Sequence, residues 1–226
     1  MNQTGIARGN TTRQVNKELR KKRILDVARD LITNKGFEAF TLSELAKEAD
    51  VSIPTIHNLF GKKYDIFVVL CEEMVVKIEE VMSNSGVHDP IEGAVSFIDS
   101  LHELFRNNEA FYRAAFVTGE RTRLFEHESP SGIFQKSLRI AQQTCESAKE
   151  NGFLIGVIDS LSLAQQLFGC QRLARQDWVS GYINLREYRT QVLIGMYMTY
   201  AADATPEFQP RLKARIQELC DTNNIE

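Results

Sequence analysis

Eight hydrogen-bonding side chains fall within one short stretch: Thr41, Ser43, Ser52, Thr55, His57, Asn58, Lys62 and Lys63. Hydroxyls, an imidazole, an amide and two ammonium groups suit non-covalent recognition of anions and polar edges. No activated nucleophile, metal cluster or phosphate-cradling loop accompanies them. The chain has no GxxxxGK[ST], GxSxG, HExxH or CxxC pattern, so an enzyme is not expected. Cys71, Cys145, Cys170 and Cys220 are scattered, as expected of reduced thiols in a cytoplasm. The histidines His57, His88, His102 and His127 show no ligand spacing, so neither a metal nor a cofactor is expected.

The polar stretch is organised by helix signals. Thr41 with Glu44 three residues on fits a capping box, and Ser52 is a good N-cap for a second helix. Pro54 falls in the first turn of that second helix, where a missing N–H costs little. Leu45, Ala46 and Ala49 form the inner face of the first helix, and Ile56 and Phe60 that of the second, with Val51 at the corner. Asp50 falls where the turn needs a left-handed residue. Two short helices joined this way make a helix-turn-helix, whose second helix lies in the major groove of duplex DNA; an ordinary helical hairpin is the competing reading.

Charge favours the DNA reading. The whole chain has 27 basic and 30 acidic residues, yet residues 1–65 carry 12 basic against 8 acidic, leaving 15 against 22 beyond. Five cations crowd into Lys17–Arg23, ahead of an amphipathic helix bearing Ile24, Leu25, Ala28, Leu31 and Ile32. Beside a reading helix such a block is a phosphate-contact surface; elsewhere it is a solvated face. Lys62 and Lys63 follow Gly61, a C-terminal cap, and open the next apolar helix. Cations there oppose the helix dipole, a conflict that a bound phosphate would remove.

From about Arg20 to Phe67 the chain resembles the DNA-binding domain of the TetR (tetracycline-repressor-like) family of bacterial transcription regulators. The match runs through ThrLeuSerGluLeuAlaLysGluAla, ValSer, ProThrIle and Phe-Gly-Lys-Lys. The resemblance implies that Ile53, Pro54, Thr55, His57 and Asn58 meet bases and backbone, that Lys63 binds phosphate, and that Thr41 and Ser43 start the preceding helix against the DNA. His57, Leu59 and Asp50 depart from the family pattern. Asn58 is the side chain best able to contact adenine, and the methyls of Ile53 and Thr55 suit thymine.

The expected fold is all-α: residues 1–15 a disordered arm, 16–66 a three-helix DNA-binding domain, and 67–226 a helical ligand-binding and dimerisation domain. The polar residues 1–12 lack a signal-peptide segment, and no apolar run is long enough to span a membrane. Residues 153–158 resemble a lone strand with nothing to pair, and are read as a linker into a helix capped by Asp159 or Ser160. The last two long helices, roughly 160–178 and 185–203, are apolar on more than one face and carry Gly169 and Gly195. That pattern predicts a dimer seam through Leu167, Gly169, Val192, Gly195, Met196 and Thr199, or else packing within one chain. The resemblance also implies a dimer on a palindromic operator and an effector pocket in the second domain. Phe97, Leu101, Phe105, Phe111, Phe116, Phe134, Leu138 and Phe168 could line it, with Gln171 and Arg175 as polar contacts. The expected function is a repressor released by a small apolar or amphipathic molecule. The alternative is a DNA-binding protein of the same fold governed by a protein partner.

Overall fold

The computed structural model describes residues 4–83, 89–125 and 133–223. Among these, ten helices occur and no strand, the expected all-α class: α1 Thr4–Lys35, α2 Leu42–Glu48, α3 Ile53–Leu59, α4 Lys63–Ser83, α5 Pro90–Arg106, α6 Glu109–Arg121, α7 Ile133–Glu150, α8 Ser160–Ser180, α9 Leu185–Ala201 and α10 Gln209–Asn223. No described helix is long and apolar enough to cross a membrane.

The chain divides into two compact units, Met1–Met74 with Ala110–Gly119, and Val75–Glu109 with Glu120–Glu226. The division falls inside α4 rather than at residue 66, and most of α6 joins the first unit. Residues 4–15, expected as an arm, instead continue α1; residues 1–3 lie outside the described ones. Residues 12–20 are all exposed. Extending an existing helix avoids the cost of nucleation, so that segment can be helical without a packing partner.

In the first unit, α1 buries the anticipated face: Ile24, Leu25, Ala28, Leu31 and Ile32. Phe40, Leu45, Ala49, Ile56, Ile66 and Phe67 complete its core. Phe60, expected inside, is only half-buried and caps α3.

In the second unit, α9 packs against α5, α8 and α10, and α7 packs on α8. The fully buried Trp178, Tyr188, Tyr197 and Tyr200 lie on α8 and α9. α10 was not anticipated. It is anchored by Phe208 and Leu212, and Arg211 reaches Asp89, the N-cap of α5, at 2.7 Å. The 153–158 segment is the linker expected; an isolated bridge pairs Leu154 with Ala204, and the Ile155 amide donates to the Asp203 carbonyl at 2.8 Å. Asp203, 2% exposed, holds it: its carboxylate accepts the amides of Gly156, Val157 and Ile158 at 2.8, 2.9 and 3.2 Å.

Burial raises three thiols, Cys71 and Cys145 to about 12 and Cys170 to about 11, so none is a thiolate near neutrality. A thiol-reactive dye at pH 8 should therefore label only Cys220 in the native protein, and all four cysteines after denaturation. Asp203→Ala removes the acceptor of the Gly156, Val157 and Ile158 amides and should cost about 1–3 kcal/mol in chemical denaturation.

Candidate nucleic-acid interface

α2 and α3 are seven residues each, too short to persist alone, so their ends must be fixed locally. Thr41 and Glu44 form the complete capping box: the Glu44 amide donates to Thr41 Oγ1 at 3.2 Å, and the Thr41 amide to Glu44 Oε2 at 2.9 Å. Lys35, 3.0 Å from Glu44, and then the Thr41 amide hold that carboxyl below its ordinary range. Ser52 caps α3 by accepting the Thr55 amide, and its hydroxyl lies 2.8 Å from that of Thr55. Asp50 takes the left-handed conformation, φ 50°. Arg23 donates to the Asp50 carbonyl at 3.1 Å, so one cation of the basic block braces the turn.

α3 is held by a single fully buried side chain, Ile56 at 0% exposure. Everything else on it is left partly or wholly outside. Ser52, Ile53, Pro54, His57 and Asn58 are exposed, and Thr55 and Leu59 are half-exposed. The Asn58 amide has no partner among the described residues. Thr41 and Ser43 are exposed at the start of α2. The predicted residues on α2 and α3 are therefore accessible from outside, in part or in full. His57 Nδ1 donates to the Gly61 carbonyl at 2.8 Å.

Lys62 and Lys63 divide. The Lys62 side chain is exposed, and its ammonium has no partner among the described residues. Lys63, expected on phosphate, is engaged inside the unit. Its ammonium lies 4.7 Å from the Phe37 ring centre and 4.6 Å from that of Phe40, and donates to the Glu38 carbonyl at 3.2 Å. The α4 entrance is also covered, because Asp65 accepts the Lys62 amide at 2.6 Å. The chain thus supplies its own anion there and its own acceptors for Lys63. Sequence reasoning missed this cage because Phe37 and Phe40 lie more than twenty residues earlier.

The residues proposed for an effector pocket scatter. Phe111 and Phe116 are buried in the first unit; the rest belong to the second. There Leu101 and Phe105 are buried, and Phe97, Leu138 and Phe168 half-buried, while the Phe134 side chain lies outside the described residues. Phe105 stacks on Trp178 at 5.1 Å and lies 6.1 Å from Tyr188, two residues absent from the expected lining. Beside them Gln171 donates to the Tyr188 hydroxyl at 3.1 Å and accepts from Arg175 at 3.5 Å. Burial lowers the Arg175 guanidinium from its ordinary value, opposed by Tyr188 and Glu120. The same burial raises Tyr188 to about 12. Trp178 donates to Glu109 at 3.0 Å. Among the described residues no cluster of metal-ligating side chains occurs.

The expected dimer residues also need correction. Leu167, Val192 and Met196 are buried within their own chain. Gly195 is a crossing point inside the unit: a Cβ there would lie 2.8 Å from Cys170 Cβ. Gly169 is exposed with open space around it, and Thr199 is half-buried, donating to the Gly195 carbonyl at 2.8 Å. The exposed residues of these helices include Leu161, Gln165, Gly169, Arg172 and Leu173 on α8, and Gln191 and Met198 on α9.

A capped helix-turn-helix with an outward polar edge, on an all-α chain, defines a DNA-binding regulator class. Residues 24–70 match the family model described as bacterial regulatory proteins, tetR family. Over 168 residues the chain is 26% identical to the HTH-type transcriptional regulator EthR of Mycolicibacterium smegmatis, covering 73% of this chain and 77% of that one. It is 21% identical over 179 residues to the HTH-type transcriptional repressor KstR of Rhodococcus jostii, covering 78% and 83%. The fold is that of a crystallised gamma-butyrolactone receptor, with TM-score 0.60 and 18% identity over 90% of this chain and 97% of that one. Residues 24–70 are thus similar to the DNA-binding segment of the tetR family, and the longer matches are to HTH-type transcriptional regulators.

Lys63→Ala should lower the stability of the first unit by about 1 kcal/mol in urea denaturation, and Lys63→Arg should recover most of it.

Proposed function

We propose that this chain is a ligand-responsive, sequence-specific DNA-binding regulator, a repressor that binds a palindromic operator as a dimer in the cytoplasm and is released by a small amphipathic molecule. The observation that carries the reading is α3: one buried anchor, with Ile53, Pro54, His57 and Asn58 facing outward. Lys62 is available at this corner to a phosphate. Asn58 is available to an adenine edge.

Dimerisation is supported by the outward strip on α8 and α9, where Leu173 is 62% and Met198 61% exposed. Two copies meeting there would present two reading helices to a two-fold site. For the effector, the Phe105, Trp178 and Tyr188 aromatics beside Gln171 and Arg175 match a molecule with an apolar body and a polar or acidic head. Release requires such a molecule to favour one dimer arrangement by ~1–3 kcal/mol. The second reading, a protein partner in place of the effector, is favoured by Val157 and Tyr182, 82% and 81% exposed. A ligand that both stabilises the protein and releases DNA supports the first; stabilisation by none, with a stable protein complex, supports the second.

Selection of genomic DNA by the purified protein should return a two-fold motif with half-sites about 34–36 Å apart, or a multiple of that. Lys62→Ala should weaken binding to every duplex and flatten the dependence on log salt by about one. Asn58→Ala should instead cost ~1–3 kcal/mol at one base pair of each half-site. Identical behaviour of the two variants on matched and scrambled duplexes contradicts this division of roles.

A further inference from the structure

The hydrogen bond between His57 and Gly61 decides what the imidazole offers to DNA. A carbonyl oxygen only accepts, so His57 Nδ1, 2.8 Å from the Gly61 oxygen, must carry the hydrogen. In its neutral form the ring is then left with Nε2 as a bare acceptor. Phosphate oxygens are also acceptors, and an acceptor cannot bond to another. We propose that His57 is a specificity-determining residue that accepts a hydrogen bond from an exocyclic base amine, N4 of cytosine or N6 of adenine, rather than holding the phosphate backbone. This rests on the proposed DNA-binding reading and adds to it a named base chemistry.

The tether is itself held in place. Gly61 has φ +97°, a conformation that other residues rarely adopt, and a Cβ there would meet Asp65 Oδ2 at 2.5 Å. Asp65 in turn accepts the Lys62 amide. The carbonyl that orients the ring is therefore positioned by the close of α3 and the first turn of α4 together. His57 is exposed on the same helix as Asn58, and the donor side of its ring is occupied by the Gly61 carbonyl. In the major groove the amines of cytosine and adenine are the base-edge donors, which makes them the complement of a fixed acceptor.

The test compares sequences selected from a random duplex library by the wild type, His57→Phe and His57→Lys, alongside binding of mixed-sequence duplex at several salt concentrations. Circular dichroism melts check that each variant is folded. The wild type should prefer an amine-bearing base at one position of each half-site. His57→Phe should lose about 5-fold in preference there while its salt dependence stays unchanged. His57→Lys has donors only and should shift that position towards guanine, whose O6 and N7 accept. The proposal is overturned if His57→Phe weakens all duplexes alike with a flatter salt dependence, or if either folded variant selects the wild-type base. A wild type that selects no motif at all contradicts the DNA-binding reading itself, a separately legible failure.

Discussion

A seven-residue helix has almost no stability of its own in water, and the whole functional reading depends on how α3 escapes that limit. It does so with few interactions: a serine cap at one end, a left-handed aspartate before it, a glycine after it, and Ile56 in the core. Because so little of α3 is needed for anchoring, nearly all of its surface can face outward. A longer helix with a full apolar stripe would be more stable, but would leave fewer side chains for recognition. Arg23 extends the same economy, bracing the turn from α1 with a side chain that the charge pattern alone assigned to phosphate.

The legible parts of the molecule were the local ones. Thr41 with Glu44, Ser52 with Thr55 and Gly61 with His57 lie four residues or fewer apart, and these and the left-handed Asp50 take the expected roles. Asp89 and Asp159 likewise cap the helices that they precede. Contacts made at long range left no such trace. The Lys63 cage depends on two phenylalanines across α2 and α3, and the Asp203 carboxylate reaches amides more than forty residues away. α10 was overlooked because its apolar positions are few. A spacing rule reads the ends of helices well and their neighbours poorly.

The two mid-helix glycines make the same point for the second unit. Their positions predict close crossings at a subunit seam. Gly195 is a crossing, but with Cys170 of its own chain, where a side chain would collide. Gly169 faces open space, so its role in the proposed dimer is separate from the packing of the unit. Sequence periodicity could mark α8 and α9 as apolar on several faces. It could not say which face was already satisfied, and Leu167, Val192 and Met196 lie on the satisfied one. In the same way the expected effector lining mixed residues of both units. The polar and aromatic cluster that forms around Tyr188 depends on a side chain that no motif singled out.

Amide NMR of the first unit within the full-length protein, recorded while its selected duplex is added, tests the central claim most directly. The largest shift changes are expected at residues 52–58 and Lys62, with the buried Ile56 side chain unmoved. Changes concentrated on another surface, with the α3 signals unaltered, would contradict it.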